Sequence, residues 1–291
     1  MGDSQWFGRI GRMVLCVSLL IGRPAPAQRA PTVGMPTMSV FIVAHPDDWQ
    51  LFMGDVAVRH LARDDRALFI VVSAGDAGRP ANYWQARESG AVASMRAALA
   101  LTDKPANRAV TRFLRLPDGK PDGVGFAATG FQSLQKFERH LLPQLVSIDG
   151  ATRYTDVTDI MRELRAIVRR ETDLGLYVHI HTHDPDLPHN PGDHADHRSV
   201  GRIALALGQA MHVPVTLYSG YVNIRRPDNL NATDASRKAY LFVTYDRARM
   251  TVNTTFSAYC ENPWAHVLYL SRTYARSAPL AESWLFRPMS E

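Results

Sequence analysis

The sequence predicts an α/β fold, a mostly parallel sheet with helices on both faces. Two observations predict it. Apolar runs of strand length alternate along the chain with longer segments of helical period. The two stretches richest in chemical side chains lie beyond apolar runs: VFIVAHPDDWQLF at 40–52 passes from one into HPDD, and GDHADHRSVG at 192–201 closes the His-rich segment that follows 176–180. Folds of this class place their sites there, beyond the carboxyl ends of the strands.

The elements follow in order. Residues 39–44 make a first strand, and 51–63 a helix with Leu51, Val56, Val58 and Leu61 at helical spacing. ALFIVV at 67–72 makes a second strand, and the Ala-rich segment 83–101 a long helix. Residues 110–116 make a strand, and the Gly-rich run 118–130 a loop that forms a wall or lid of a pocket, or only a connection. In 156–171 the apolar residues Val157, Ile160, Met161, Leu164, Ile167 and Val168 keep a 3.6 period. A strand at 176–180, a helix at 199–209 and a strand at 213–218 complete the pattern.

The 291 residues suffice for one large domain, and 46% hydrophobic with 21% charged residues is an ordinary globular balance. The first 27 residues stand apart. Arg9 and Arg12 precede the apolar run 13–22, and Ala25-Pro26-Ala27 offers small residues before a cut after Ala27. That layout is a signal peptide, too short for a permanent span. Residues 28–37 then form a disordered lead-in, and 38–291 a single domain with a C-terminal extension. The expected location is secreted or periplasmic, with no stable membrane span.

Cys16 falls in the leader, so the mature chain keeps Cys260 alone and no internal disulfide. The net charge is +5; loss of residues 1–27, with three Arg and one Asp, leaves +3. Basic residues are scattered, which argues against nucleic acid as a partner. The expected partner is a small molecule or glycan, and the oligomeric state stays open.

Six of eleven histidines lie between 179 and 197. His179, His181 and His183 share one strand face and are expected to pack or hydrogen-bond rather than ligate. His45 and Asp48, at the end of the first strand, can turn into one cleft. With one distant His they make two imidazoles and a carboxylate, a common catalytic zinc shell with a position left for water. Asp47 is placed to take a proton from that water. Helix N-capping would account for Asp47 or Asp48 alone, but not for His45 before them or for the second cluster. If His197 is the third ligand, His194 can approach the substrate oxygen as an imidazolium, with Asp196 orienting a histidine.

AHPDD after an apolar strand, followed later by HxDH, resembles the PIG-L / LmbE-like family of zinc-dependent N-deacetylases. The resemblance covers about residues 38–220 and implies a Rossmann-like fold and removal of an N-acetyl group from an N-acetylglucosamine-type sugar. It implies Zn2+, or another divalent metal, held by His45, Asp48 and His197. It makes Asp47 the general base and His194 the electrostatic partner, with Asp196 in support. SAGDAGRPANYWQARESG at 73–90 loosely resembles the family's second strand and following helix, which makes Arg87 and Glu88 pocket residues. The family's Glu after AHPDD is here Trp49, a candidate stacking face for a sugar. Its HPDH is here HADH, a change in backbone stiffness rather than in ligands.

Other readings compete. The same shell suits an amidase on a larger conjugate. A non-catalytic sugar-binding module on the same fold is a further alternative. The pattern HxD…H also matches non-haem iron oxygenases, but the strand–helix alternation argues against their all-β scaffold.

Overall fold

The computed structural model describes residues 37–63, 65–172, 176–252 and 263–278. The leader and most of the lead-in, Tyr259 and Cys260 lie outside the described residues. The elements are β1 (Thr37–Val43), α1 (Asp48–Ala62), β2 (Arg66–Ser73), α2 (Ala81–Leu101), β3 (Ala109–Leu116), α3 (Leu134–Glu138), β4 (Leu145–Val146), β5 (Arg153–Tyr154), α4 (Val157–Glu171), β6 (Tyr177–His183), α5 (Ala195–Met211), β7 (Val215–Tyr218), α6 (Ala232–Val252), α7 (Pro263–Leu270) and β8 (Ala275–Ser277). Among the described residues no helix is long and apolar enough to cross a membrane.

Six strands form the main sheet in the order β3-β2-β1-β6-β7-β8, parallel except for β8. The expected α/β architecture is therefore present. β1 is flanked by β2 on one side and β6 on the other, so the strand order reverses there and opens a crevice at the carboxyl ends.

Both sheet faces are covered, which is why these strands read as near-continuous apolar runs. Met38, Val40 and Ile42 of β1 pack with Ile160, Leu164 and Val168 of α4 and with Val200, Ile203 and Leu207 of α5. Phe41 and Val43 point the other way, into a cluster with Phe52 and Leu61 of α1, Ala91 and Ala98 of α2, and Leu241 of α6. α4 starts where expected because Asp156 caps it: its carboxylate accepts from Thr158 N at 2.7 Å, and Asp159 reaches back to Asp156 N.

Small residues let α2 and α6 approach closely. A Cβ on Gly90 would meet the Tyr245 carbonyl oxygen at 2.7 Å, and Ser94 donates to the Leu241 carbonyl. Thus α6 and β8, C-terminal to the parallel unit, cover one sheet face and one sheet edge.

Two boundaries differ from the sequence reading in a way that matters. α1 begins at Asp48 rather than 51, and α5 at Ala195 rather than 199. Both helices thus start inside the polar motifs, whose residues lack the apolar periodicity that marks a helix in sequence. In consequence Asp48 and His197 stand on first turns, held rigidly over the crevice.

Candidate metal centre

The centre grows from three backbone devices. After β1 the chain turns at Pro46 into α1, and the Asp48 carboxylate folds back to accept from His45 N at 2.6 Å. α5 starts with His194 as its cap: His194 Nδ1 accepts from Asp196 N at 3.1 Å. The loop after β3 closes the far wall, where Gly119 N donates to Asp196 Oδ2 at 2.9 Å and Ala195 N to the Pro121 carbonyl at 3.0 Å. The Gly-rich stretch is thus a wall. A Cβ at Gly119 would lie 2.4 Å from Asp196 Oδ1, so that approach requires glycine.

These devices bring His45, Asp48 and His197 together. His45 Nδ1 lies 3.2 Å from His197 Nε2 and 3.3 Å from Asp48 Oδ2. His197 Nε2 lies 3.2 Å from Asp48 Oδ1. All three residues are buried, and their donor atoms converge closely enough for one ion.

Each imidazole also has its outer nitrogen engaged by a carboxylate. His45 Nε2 faces Asp196 Oδ2 at 3.3 Å, and His197 Nδ1 faces Asp193 Oδ1 at 2.9 Å. With those nitrogens donating, His45 Nδ1 and His197 Nε2 present lone pairs to each other across 3.2 Å. Two lone pairs and a carboxylate facing one point suit a cation. The spacing matches the edge of a tetrahedron with bonds of about 2.0–2.1 Å, roughly 3.3 Å. The residues present therefore fit a divalent metal.

Electrostatics agree. Burial disfavours charge on His45, yet Asp48 and Asp196 beside it hold it well above the usual histidine range. Burial works likewise against His197, yet Asp193 and Asp48 raise it to about 10. Burial opposes charge on Asp48, but His197, His45 and His183 hold it well below the usual carboxylate range. In each case the positive charge that a metal would supply is drawn from protons instead.

Asp47 occupies the cap position of α1 but its side chain makes no cap bond. Instead Arg87 Nη2 donates to Asp47 Oδ1 at 2.5 Å. Arg87 is buried, and its contact here is with Asp47.

His194 is nearly buried, 4.6 Å from His45 ring to ring. Burial, reinforced by His45 and His197, pushes its imidazole far down. This corrects the expected imidazolium: Nδ1 accepts from a backbone N–H, so a neutral ring carries its proton on Nε2, where it can still donate. Asp196 meets both histidines: its carboxylate lies 3.3 Å from His45 Nε2 and 4.0 Å from His194 Nδ1, and its main-chain N–H donates to His194 Nδ1.

Two further expectations fail. Trp49 is fully buried, its ring centroid 4.3 Å from that of Phe69. One step along α1 from Asp48 turns it about 100° away from the crevice and into the sheet, so it offers no face to a sugar. Glu88 is taken up by Arg115, with oxygens 2.7 and 3.0 Å from the guanidinium, one step along α2 from Arg87.

Three further residues belong to the centre. Asp193 holds His197. Its position four residues earlier, at a helix start, is the signal that marks it. Asp118 stands 3.9 Å from His194 Nε2, brought there by the loop alone. His183 was grouped with His179 and His181, yet it stacks on His197 with centroids 4.1 Å apart, and its Nε2 lies 3.2 Å from Asp48 Oδ2.

The family model "PIG-L: GlcNAc-PI de-N-acetylase" matches residues 40–207. The chain belongs to this family. The matched segment runs from β1 into α5 and contains His45, Asp47, Asp48, His194, Asp196 and His197. No curated protein matches the sequence.

Among solved structures, a zinc-inhibited form of teicoplanin deacetylase is 16% identical, with 78% of this chain and 94% of that one covered and a TM-score of 0.46. N,N'-diacetylchitobiose deacetylase from Pyrococcus horikoshii is 15% identical, with 84% of each chain covered and a TM-score of 0.47. A 4-carboxy-2-hydroxymuconate hydratase from Pseudomonas putida is 16% identical, with 76% and 91% covered and a TM-score of 0.41. Likenesses this remote decide nothing about the reaction.

Proposed function

We propose that this PIG-L family protein is a zinc-dependent N-deacetylase acting on an N-acetylglucosamine-type sugar or glycoconjugate outside the cytoplasm. The observation that carries the reading is the pair of facing imidazole nitrogens, His45 Nδ1 and His197 Nε2, closed by Asp48 with Asp47 beside them.

His45, Asp48 and His197 would hold the metal. Bound there, a divalent ion would polarise the amide carbonyl and lower the pKa of a water. Asp47 takes the proton of the attacking water and returns it to the leaving amine. Arg87 holds one oxygen of that carboxylate and so fixes the direction of the other. His194 donates Nε2–H to the carbonyl oxygen as it gains negative charge. Asp196 and Asp193 fix the tautomers of His45 and His197, so that both turn a lone pair to the ion.

The extracellular setting rests on the arginines and apolar run before Ala27 and is tested by the N-terminal residue of protein recovered from the exporting cell. An unprocessed chain in the cytoplasm overturns it.

The central test is metal content together with acetate release from a panel of N-acetylglucosaminides, on protein lacking residues 1–27. Near one zinc per chain with acetate release is expected. Zinc without acetate turns the reading to a larger amide. A chain that binds no zinc after reloading overturns it and favours a sugar-binding module.

A further inference from the structure

The family match ends at residue 207, yet contacts into the centre come from beyond it, and one of them reaches the Asp47 side. Tyr245 lies on α6, fully buried, and its hydroxyl accepts from Arg87 Nε at 3.0 Å. Arg87 also donates from Nη1 to the Gly75 carbonyl at 2.6 Å and from Nη2 to Asp47 Oδ1 at 2.5 Å. All three guanidinium nitrogens thus have a partner. The guanidinium is planar, so holding Nε and Nη1 sets where Nη2 points.

The surrounding backbone leaves room for this link and little else. Gly75 has φ +59°, and a Cβ there would lie 2.2 Å from Arg87 Nη1. Gly90, one helical turn after Arg87, lies against Tyr245, where a Cβ would meet the ring at 2.8 Å. The ring is further fixed by stacking on Phe242, with centroids 6.1 Å apart.

We propose that Tyr245 is a positioning residue for the reaction: through Arg87 it sets the orientation of the Asp47 carboxylate. The inference rests on the reading of Asp47 as general base. It assigns a role in the site to α6, which lies outside the segment that carries the family motifs. A base must lie within hydrogen-bond reach of the proton it removes, so a tilt of the guanidinium that swings Asp47 lowers turnover without touching substrate affinity or metal.

Tyr245→Phe removes one oxygen and keeps the ring packing. The variant is expected to bind zinc as the native protein does, to keep KM within about twofold, and to lose about tenfold in kcat, the scale of one hydrogen bond to a charged group. In an Arg87→Met background the same change is expected to have no further effect, because its route is gone. Native kcat in Tyr245→Phe overturns the inference, and so does an equal loss in both backgrounds.

A second measurement needs no turnover. In protein labelled with 15N-arginine, the Arg87 Nε–H proton is expected to exchange slowly with solvent, and at least tenfold faster in Tyr245→Phe. Unchanged exchange overturns the inference whatever the enzyme does. If the native protein releases no acetate while exchange accelerates, the deacetylase reading falls and the Tyr245–Arg87–Asp47 orientation stands.

Discussion

β6 carries histidines at 179, 181 and 183, all on one face of one strand, and they meet two different environments. At the carboxyl end His183 joins His45, His194 and His197 among Asp48, Asp118, Asp193 and Asp196. Further back, His179 and His181 meet hydroxyls: His179 Nε2 lies 2.8 Å from Thr216 Oγ1, and His181 Nδ1 lies 2.9 Å from Tyr218 Oη. His60 completes that second group, 5.0 Å from His181 ring to ring. Among the described residues, the donor groups that converge closely enough for one ion all lie at the strand ends; His60, His179 and His181 belong to none. The difference teaches that a run of histidines does not by itself mark a metal centre. Several carboxylates converging on the rings do, by fixing the outer nitrogens and supplying the negative charge; the second group has one at a ring nitrogen, Asp65, 3.0 Å from His60 Nδ1.

The comparison breaks most visibly at His197. His197→Ala is expected to lose bound zinc and at least about 1,000-fold in turnover, since it removes a ligand and its Asp193 contact together. Retention of one zinc per chain, measured by elemental analysis, would move the ion elsewhere. Asp47→Asn separates the base from the ligands. Zinc is expected to stay and kcat to fall about 100- to 10,000-fold, the range of general base catalysis. Full activity in that variant removes Asp47 from its assigned role. Asp193→Asn tests the outer contact: zinc affinity is expected to fall about 10- to 100-fold in a chelator competition, with the fold intact by circular dichroism.

How much of this was legible beforehand follows the physics of each residue. The order of strands and helices was readable because burial on both sheet faces writes itself as apolar runs. The two motifs were readable because their chemistry is local: His45, Asp47 and Asp48 lie in one turn, and His194 and His197 in another. Asp118 and Tyr245 were not, because loop closure and the packing of α2 on α6 bring them in, and neither carries a local pattern. Trp49 was misread because a motif position suggests a site, whereas helical rotation turned it into the sheet.

His197 in the centre and His179 further back on β6 differ in the sign of their pH dependence. In the metal-free protein His197 is raised to about 10, so its contribution is fully present below about 6.5 and lost as pH rises through about 10. His179 is lowered to about 4 by burial and by His60. The unfolded chain therefore binds more protons between pH 6.5 and 4, and stability falls as pH drops through that window. At pH 5 this contribution is about 1–2 kcal/mol relative to pH 7. His179→Gln is expected to flatten the decline by that amount in urea titrations at the two pH values. An equal decline in both proteins would show that His179 is protonated as readily in the folded state as in the unfolded one.

The smallest effect is expected at His181, and it sharpens the contrast most. This ring is buried, stacks on Phe41 with centroids 4.7 Å apart, and its Nε2 has no hydrogen-bond partner among the described residues. His181→Phe keeps the stacking, removes the unpartnered nitrogen and gives up the contact to Tyr218. Those two polar changes oppose each other, so stability is expected to shift by no more than about 1 kcal/mol in either direction. Zinc content and turnover are expected to stay within about twofold, because no carboxylate couples this ring to the centre. His181 stands only two residues before His183, on the same face of the same strand. A loss of zinc in His181→Phe would therefore show that the two groups are one, joined along β6. An unchanged centre shows that the boundary between packing and chemistry falls between residues 181 and 183, where the Tyr218 hydroxyl on one ring gives way to the Asp48 carboxylate on the next.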